Sequence, residues 1–126
     1  MKKDIQYRED IDLFVTEFYA KLLKDKNLKH FFDDIVRNNK LKHHLEIISD
    51  FWEGILLGST KYQRNAMQPH LNMNKSKPFA KEHFDIWLDH FNTTMNQNFE
   101  GEKTEFAKTR ALSIAMVMQI KMKSHS

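Results

Sequence analysis

Apolar residues recur at three- and four-residue spacing along most of this chain, and that periodicity leaves little room for anything but a helical fold. In residues 9–24, Ile11, Val15, Phe18, Tyr19 and Leu22 fall within one sector of a helical period. From Leu41 to Leu57 the arc is wider. Leu41, His44, Ile48, Phe51 and Ile55 line one side, and Leu45, Trp52 and Leu56 broaden it, so this helix must meet neighbours on more than one flank. A third run stripes Phe84, Trp87, Leu88, Phe91 and Met95. A fourth extends from Glu102 to about Met122, with Phe106, Val117 and Ile120 among its core candidates. No stretch alternates with a period of two, and no internal repeat interrupts the pattern.

The breaks between runs carry their own signals. Asp25 to Phe32 reads as a short turn or single helical turn ending in two phenylalanines, and Asn38 or Asn39 is the expected cap of the second long helix, which stops near Gly58. Residues 59–78 lack a long pattern and suit one short helix around Arg64 to Leu71. Pro78 fits the first turn of the next helix, which reaches about Phe99, and Gly101 ends the turn after it. With only 3 Gly and 2 Pro in 126 residues, an all-α single domain spanning 1–126 is expected.

Several classes of chemistry fall away. The chain has no cysteine, which removes disulfides, thiolate ligands and thiol nucleophiles, and agrees with a cytoplasmic setting. No run approaches the length of a membrane span, and the start MKKDIQYRED places charges where a signal peptide carries its apolar region. The net charge of +3 comes from 20 basic and 17 acidic residues that are largely interspersed. The small basic patches at Lys40 to His44 and Lys121 to His125 lack interleaved aromatics, so neither a nucleic-acid nor a membrane partner is expected. No glutamate has a histidine three positions later, which argues against a di-iron bundle, and the histidines lack zinc-motif spacing. His43 with Glu46 makes at most a surface pair.

Four residues stand out on this apolar frame. His44 and Ile48 lie one turn apart and present a polar tip beside an apolar branch. Tyr19, on the buried flank of the first helix, either keeps its hydroxyl at the boundary or turns it inward, where it needs a partner that a ligand would supply. His70, directly after Pro69, is either an exposed loop histidine or an imidazole ligand for iron. Trp87 is core volume or a flat wall with one N–H donor. Its neighbours His83 and His90 read as surface residues, His83 the nearer to a cavity rim.

As an ordered set these residues resemble the truncated haemoglobins, and within them the third group. The match rests on Phe18-Tyr19, the run His44 to Ile48, the stretch FWEGILLG from Phe51 to Gly58, Tyr62, His70-Leu71 and Phe84-Asp-Ile-Trp87-Leu88. It spans nearly the whole chain, and the glycine pairs of the other two groups are absent, as in the third. The resemblance implies a two-over-two helical sandwich enclosing haem b, iron protoporphyrin IX, with His70 as the proximal iron ligand. It places Tyr19, His44 and Trp87 as polar groups of the distal cavity and Ile48 in its wall. Phe32, ahead of Phe31, is the aromatic expected against the porphyrin, with Phe51 and Tyr62 as further contacts.

The function so implied is binding of O2 and related diatomic ligands, with Tyr19 the leading hydrogen-bond donor, the Trp87 indole the second, and His44 a gate or a fixed partner. NO, CO, cyanide and peroxide are the other candidate ligands. One alternative is a haem enzyme with nitric oxide dioxygenase or peroxidase-like activity. It needs a separate, unidentified reductant, since nothing here resembles a flavin domain. The other is a helical interaction module without haem. A monomer is expected.

Overall fold

The computed structural model describes residues 2–58 and 80–125, the side chains of 121–125 excepted. Among the described residues, five α-helices and one 3-10 turn appear in this order: α1 (Arg8–Lys24), the 3-10 turn Lys29–Phe32, α2 (Asp33–Arg37), α3 (Leu41–Leu57), α4 (Lys81–Asn98) and α5 (Glu102–His125). Among the described residues there is no strand, and no helix is long and apolar enough to cross a membrane.

Local chemistry sets the ends. At the start of α1 the Asp10 carboxylate accepts the backbone N–H groups of Gln6 and Tyr7 at 2.9 and 3.0 Å. Acidic Glu9 and Asp10 in the first turn and basic Lys21 and Lys24 in the last complement the helix dipole. Gly58, at φ 75°, closes α3 in the left-handed conformation that glycine adopts without steric cost. His83 caps α4 by accepting the Ala80 N–H on Nδ1 at 2.8 Å.

The cap of α5 comes from the far end of the chain. Asp4 accepts N–H bonds from Lys103 and Thr104 and the Thr104 hydroxyl, at 2.8 to 2.9 Å. Gly101 makes room for it: at φ 145°, a Cβ there would sit 2.5 Å from the Asp4 carboxyl carbon.

Two helix pairs stack on each other. Helix α1 packs on α3 and on α4, and α5 lies on α4. Phe14 joins the pairs, meeting Trp52 of α3 edge-on at 6.0 Å, Phe91 of α4 at 5.9 Å and Phe99 at 6.4 Å. It is fully buried, and truncating such a side chain to alanine costs about 3–5 kcal/mol.

Three expectations need correction. Neither Asn38 nor Asn39 caps α3: Lys40 takes that position, and Asn39 instead turns the chain with φ 55°, a conformation asparagine tolerates better than most residues. The five-residue α2 was not foreseen. The core face of α5 is also not the one expected. Phe106, Val117 and Ile120 are 51, 38 and 67% exposed, while Thr104, Ala107, Ala111, Ala115 and Met118 are buried. Small side chains let the α5 backbone approach α4 closely, so the face lowest in apolar bulk is the one that packs. Residues 59–79 lie outside the described residues, and with them the short helix expected around Arg64 to Leu71 and the start expected at Pro78.

Candidate functional site

Tyr19 and His44 meet in the interior. The Tyr19 hydroxyl lies 2.9 Å from His44 Nε2, and the two residues are 3 and 9% exposed. Each is delivered by the apolar stripe of its own helix, Tyr19 from the inner face of α1 and His44 from the first turns of α3, one turn before buried Ile48. The phenol that sequence reasoning left for a ligand to satisfy already has a protein partner. His44, expected as a gate or a fixed partner, is inside and bonded to Tyr19.

Aromatic rings surround the pair. Phe32 meets the Tyr19 ring edge-on at 5.6 Å, and Phe18 meets it at 5.6 Å from the other side. Phe18 then contacts Trp87 at 5.4 Å, and Trp87 stacks on Phe91 with planes 16° apart. Phe18 therefore links the two aromatic donors, a role that sequence position did not reveal. Phe31 packs against His83 and His30, with centroids 4.9 and 4.0 Å away. Phe51 is half-buried and touches Trp52 at 5.5 Å. His70 and Tyr62 lie outside the described residues.

The electrostatics of the site are those of neutral donors on an apolar wall. Burial pushes the Tyr19 pKa above its ordinary value, because a phenolate there would lose its hydration, so the hydroxyl keeps its proton across the physiological range. With one His44 tautomer, Tyr19 O–H donates to Nε2. With the other, Nε2–H donates to the phenol oxygen, and the phenol proton is left for a third group. Tyr19, His44, Trp87, Ile48, Phe18 and Phe32 include no carboxylate and no permanent cation. Such a set suits a flat apolar group and a small uncharged ligand better than an ionic substrate.

Charged groups hold the frame from outside. Arg8 of α1 bonds Asp12 at 2.9 Å and reaches across to Asp50 and Glu53 of α3 at 2.7 and 2.8 Å. Together with Tyr19 and His44 this fixes α1 and α3 antiparallel at two points. Glu53 was a readable signal, since a single carboxylate between Trp52 and Ile55 calls for a cation. His90, expected at the surface, is instead half-buried and bonds Asp25 at 2.7 Å, tying the end of α1 to α4.

Known proteins share this arrangement. Residues 4–124 match the family model for bacterial-like globins. The chain is 32% identical over 121 residues to the group 3 truncated haemoglobin ctb of Campylobacter jejuni, covering 94% of this chain and 93% of that one. It is 26% identical over 87 residues to the group 1 truncated haemoglobin GlbN of Synechocystis, covering 69 and 68%. The crystal structure of the group III truncated haemoglobin from Campylobacter jejuni superposes with a TM-score of 0.85 at 30% identity, covering 100% of this chain and 98% of that one. The fold is thus the two-over-two globin sandwich, and the chain belongs to the third group of truncated haemoglobins. The family-level function is that of a haem- and oxygen-binding globin.

Proposed function

We propose that this chain holds haem b between its helices, with His70 as the protein ligand to iron, and that Tyr19 and Trp87 stabilise a bound diatomic molecule while His44 controls Tyr19. The observation that carries the reading is the buried Tyr19–His44 contact inside an aromatic wall that includes Trp87. Haem b, when bound, would supply an iron atom able to take up a diatomic ligand.

The chain's own residues do the rest. Phe32, Phe18 and Ile48 exclude water and leave a low-dielectric surface where a hydrogen bond counts for more than it does in water. Tyr19 holds its proton and offers it to an oxygen atom that carries partial negative charge. His44 sets whether that proton is available: as acceptor it occupies the phenol, and as donor it releases the phenol toward the pocket. The Trp87 indole N–H is the second donor, positioned through Phe18 and Phe91. Absorption spectra of the purified protein, oxidised, reduced and with carbon monoxide, test the reading. Histidine-ligated haem signatures are expected, and a colourless protein that takes up no haem would return the helical interaction module to first place.

The same contact favours one second reading. A proton passing from His44 through Tyr19 would supply the acid that peroxidase-like chemistry requires, and a Tyr19 hydrogen bond that retains bound O2 would serve nitric oxide dioxygenation, which needs no proton. Oxygen-dependent consumption of nitric oxide, sustained by an added reductant, would support it. In either reading the chain works with a separate reductant, in a soluble cytoplasmic setting.

A further inference from the structure

We propose that Trp87 and Trp52, with Phe91 between them, form a relay that passes single electrons to the pocket, and that the electron vacancy so created comes to rest on Trp52. The inference rests on the haem and peroxidase-like reading given above. The chain has 2 tryptophans, on different helices, and both lie face to face with the same phenylalanine. Phe91 stacks on Trp87 of its own helix with centroids 6.1 Å and planes 16° apart, and on Trp52 of α3 at 5.2 Å and 26°. Phe14, by contrast, meets Trp52, Phe91 and Phe99 edge-on. Indole gives up an electron far more readily than a phenyl ring does, so the tryptophans are the stations and Phe91 is the bridge. The continuous π contact runs from the pocket wall on α4 to α3, where half-buried Phe51 touches Trp52 at 5.5 Å and reaches solvent.

Charge selects where the vacancy rests. Trp52 is followed in α3 by Glu53, whose carboxylate joins Asp12 and Asp50 around Arg8. One guanidinium against three carboxylates leaves the cluster negative, and that field favours an indole radical cation on Trp52 over one on Trp87, whose partners Phe18 and Phe91 are uncharged. Tyr19 is the competing stop. Its oxidation sends the phenol proton to His44 Nε2, 2.9 Å away, and so puts a positive charge into the wall that Phe32 and Ile48 make apolar.

Peroxide is the oxidant, and a one-electron donor in solution is the reductant. Reducing one hydrogen peroxide to two water molecules breaks its O–O bond and takes two electrons and two protons. An enediol such as ascorbate gives one electron and one proton at a time, so two ascorbates complete the reaction, each refilling Trp52 from the Phe51 side. Haem supplies the place where the peroxide is reduced. The relay itself makes and breaks no bond, and both indoles keep their N–H protons.

The experiment mixes the full haem-loaded ferric chain with an equimolar amount of hydrogen peroxide, with and without ascorbate. Freeze-quenched electron paramagnetic resonance on protein carrying ring-deuterated tryptophan is expected to show a tryptophan radical. Peptide mapping by mass spectrometry should find oxidised Trp52 in at least about fivefold excess over oxidised Trp87. Ascorbate should abolish the radical and the oxidation products. Phe91→Leu keeps an apolar side chain but removes the bridge, so with an unchanged haem spectrum it should move the oxidised site to Trp87. Trp52→Phe should do the same, and Asp50→Asn should shrink the excess at Trp52. A radical resting on Tyr19, equal oxidation of the two tryptophans in the wild type, or Trp52 oxidation unaffected by Phe91→Leu would each overturn the relay while leaving the haem reading intact. Haem that is taken up but leaves peroxide unreacted would overturn the peroxidase-like reading and the relay together.

Discussion

Tyr19 and His44 hold each other at 2.9 Å across the gap between α1 and α3, so the main candidate donor in the pocket is committed to a protein partner before any ligand arrives. Under the proposed function, a hydrogen bond from Tyr19 to a ligand would compete with His44, with an outcome that depends on the histidine tautomer.

Removing the donor removes the competition. Tyr19→Phe is expected to speed O2 dissociation from the haem-loaded protein by about tenfold, the loss of a hydrogen bond worth roughly 1–1.5 kcal/mol. Stopped-flow displacement of O2 by CO measures this, and an unchanged rate removes Tyr19 from the role.

Removing the competitor acts in the opposite direction. His44→Leu leaves Tyr19 with no imidazole to satisfy, so O2 release should slow by roughly three- to tenfold relative to wild type. Faster release in this variant would mean that His44, not Tyr19, contacts the ligand.

The ligand assignment is tested by subtraction. His70→Gly should lose the histidine-ligated absorption signature, and added imidazole should restore it, since the small molecule replaces the missing side chain at the iron. Failure of imidazole to change the spectrum would move the ligand elsewhere.

Asp4 and Gly101 act as one device. Gly101→Ala adds a Cβ into the Asp4 carboxylate and forces a side chain into a left-handed conformation, so a loss of about 2–4 kcal/mol is expected in denaturant melts. Asp4→Ala removes the α5 cap at about 1–2 kcal/mol. The double variant should lose less than the sum, because both changes abolish the same cap.

Acid sensitivity follows from three carboxylates held below their ordinary 3.8. For Asp25 the main cause is the hydrogen bond from His90. For Asp4 and Asp10 burial pushes the pKa upward, but backbone N–H bonds, with Thr104 and Lys3 assisting, outweigh it. A depressed folded value means the stabilisation is complete above about pH 4 and disappears as pH falls through that value. Asp25→Asn should lower the urea midpoint at neutral pH and flatten its decline below about pH 4. A wild-type midpoint independent of pH from 5 to 2 would contradict this.

Much of the fold was legible because α1 and α4 each bury a stripe of large residues, which periodicity detects directly; α3 was legible as a helix, but it buries His44, Ile48, Trp52 and Leu56 with Ser49 and Glu53, while Leu41, Phe51 and Ile55 of the expected stripe are half-buried. Helix α2 was not, since five residues hold barely more than one turn of pattern. Helix α5 misled for a different reason: it is apolar on two opposite faces, and burial selected the alanines, whose small size carries little hydrophobic signal but allows close packing. In the site, Tyr19, His44 and Trp87 were recognisable as an ordered set. That Tyr19 and His44 satisfy each other was not, because they lie 25 positions apart, and nothing in either local sequence specifies the crossing of α1 and α3. Glu53 marked that crossing, but its partner Arg8 is 45 positions away.

The Arg8 cluster makes α3 resemble a door hung at one side. Its post stands at Asp50 and Glu53, and its latch is the imidazole of His44, about two turns away. Because two ionic contacts from one guanidinium anchor the post, release of the latch would free the Leu41 end of α3 before the Glu53 end. Amide exchange is therefore expected to be faster at Leu41–Leu45 than near Glu53, which puts the weaker edge of this helix beside His44.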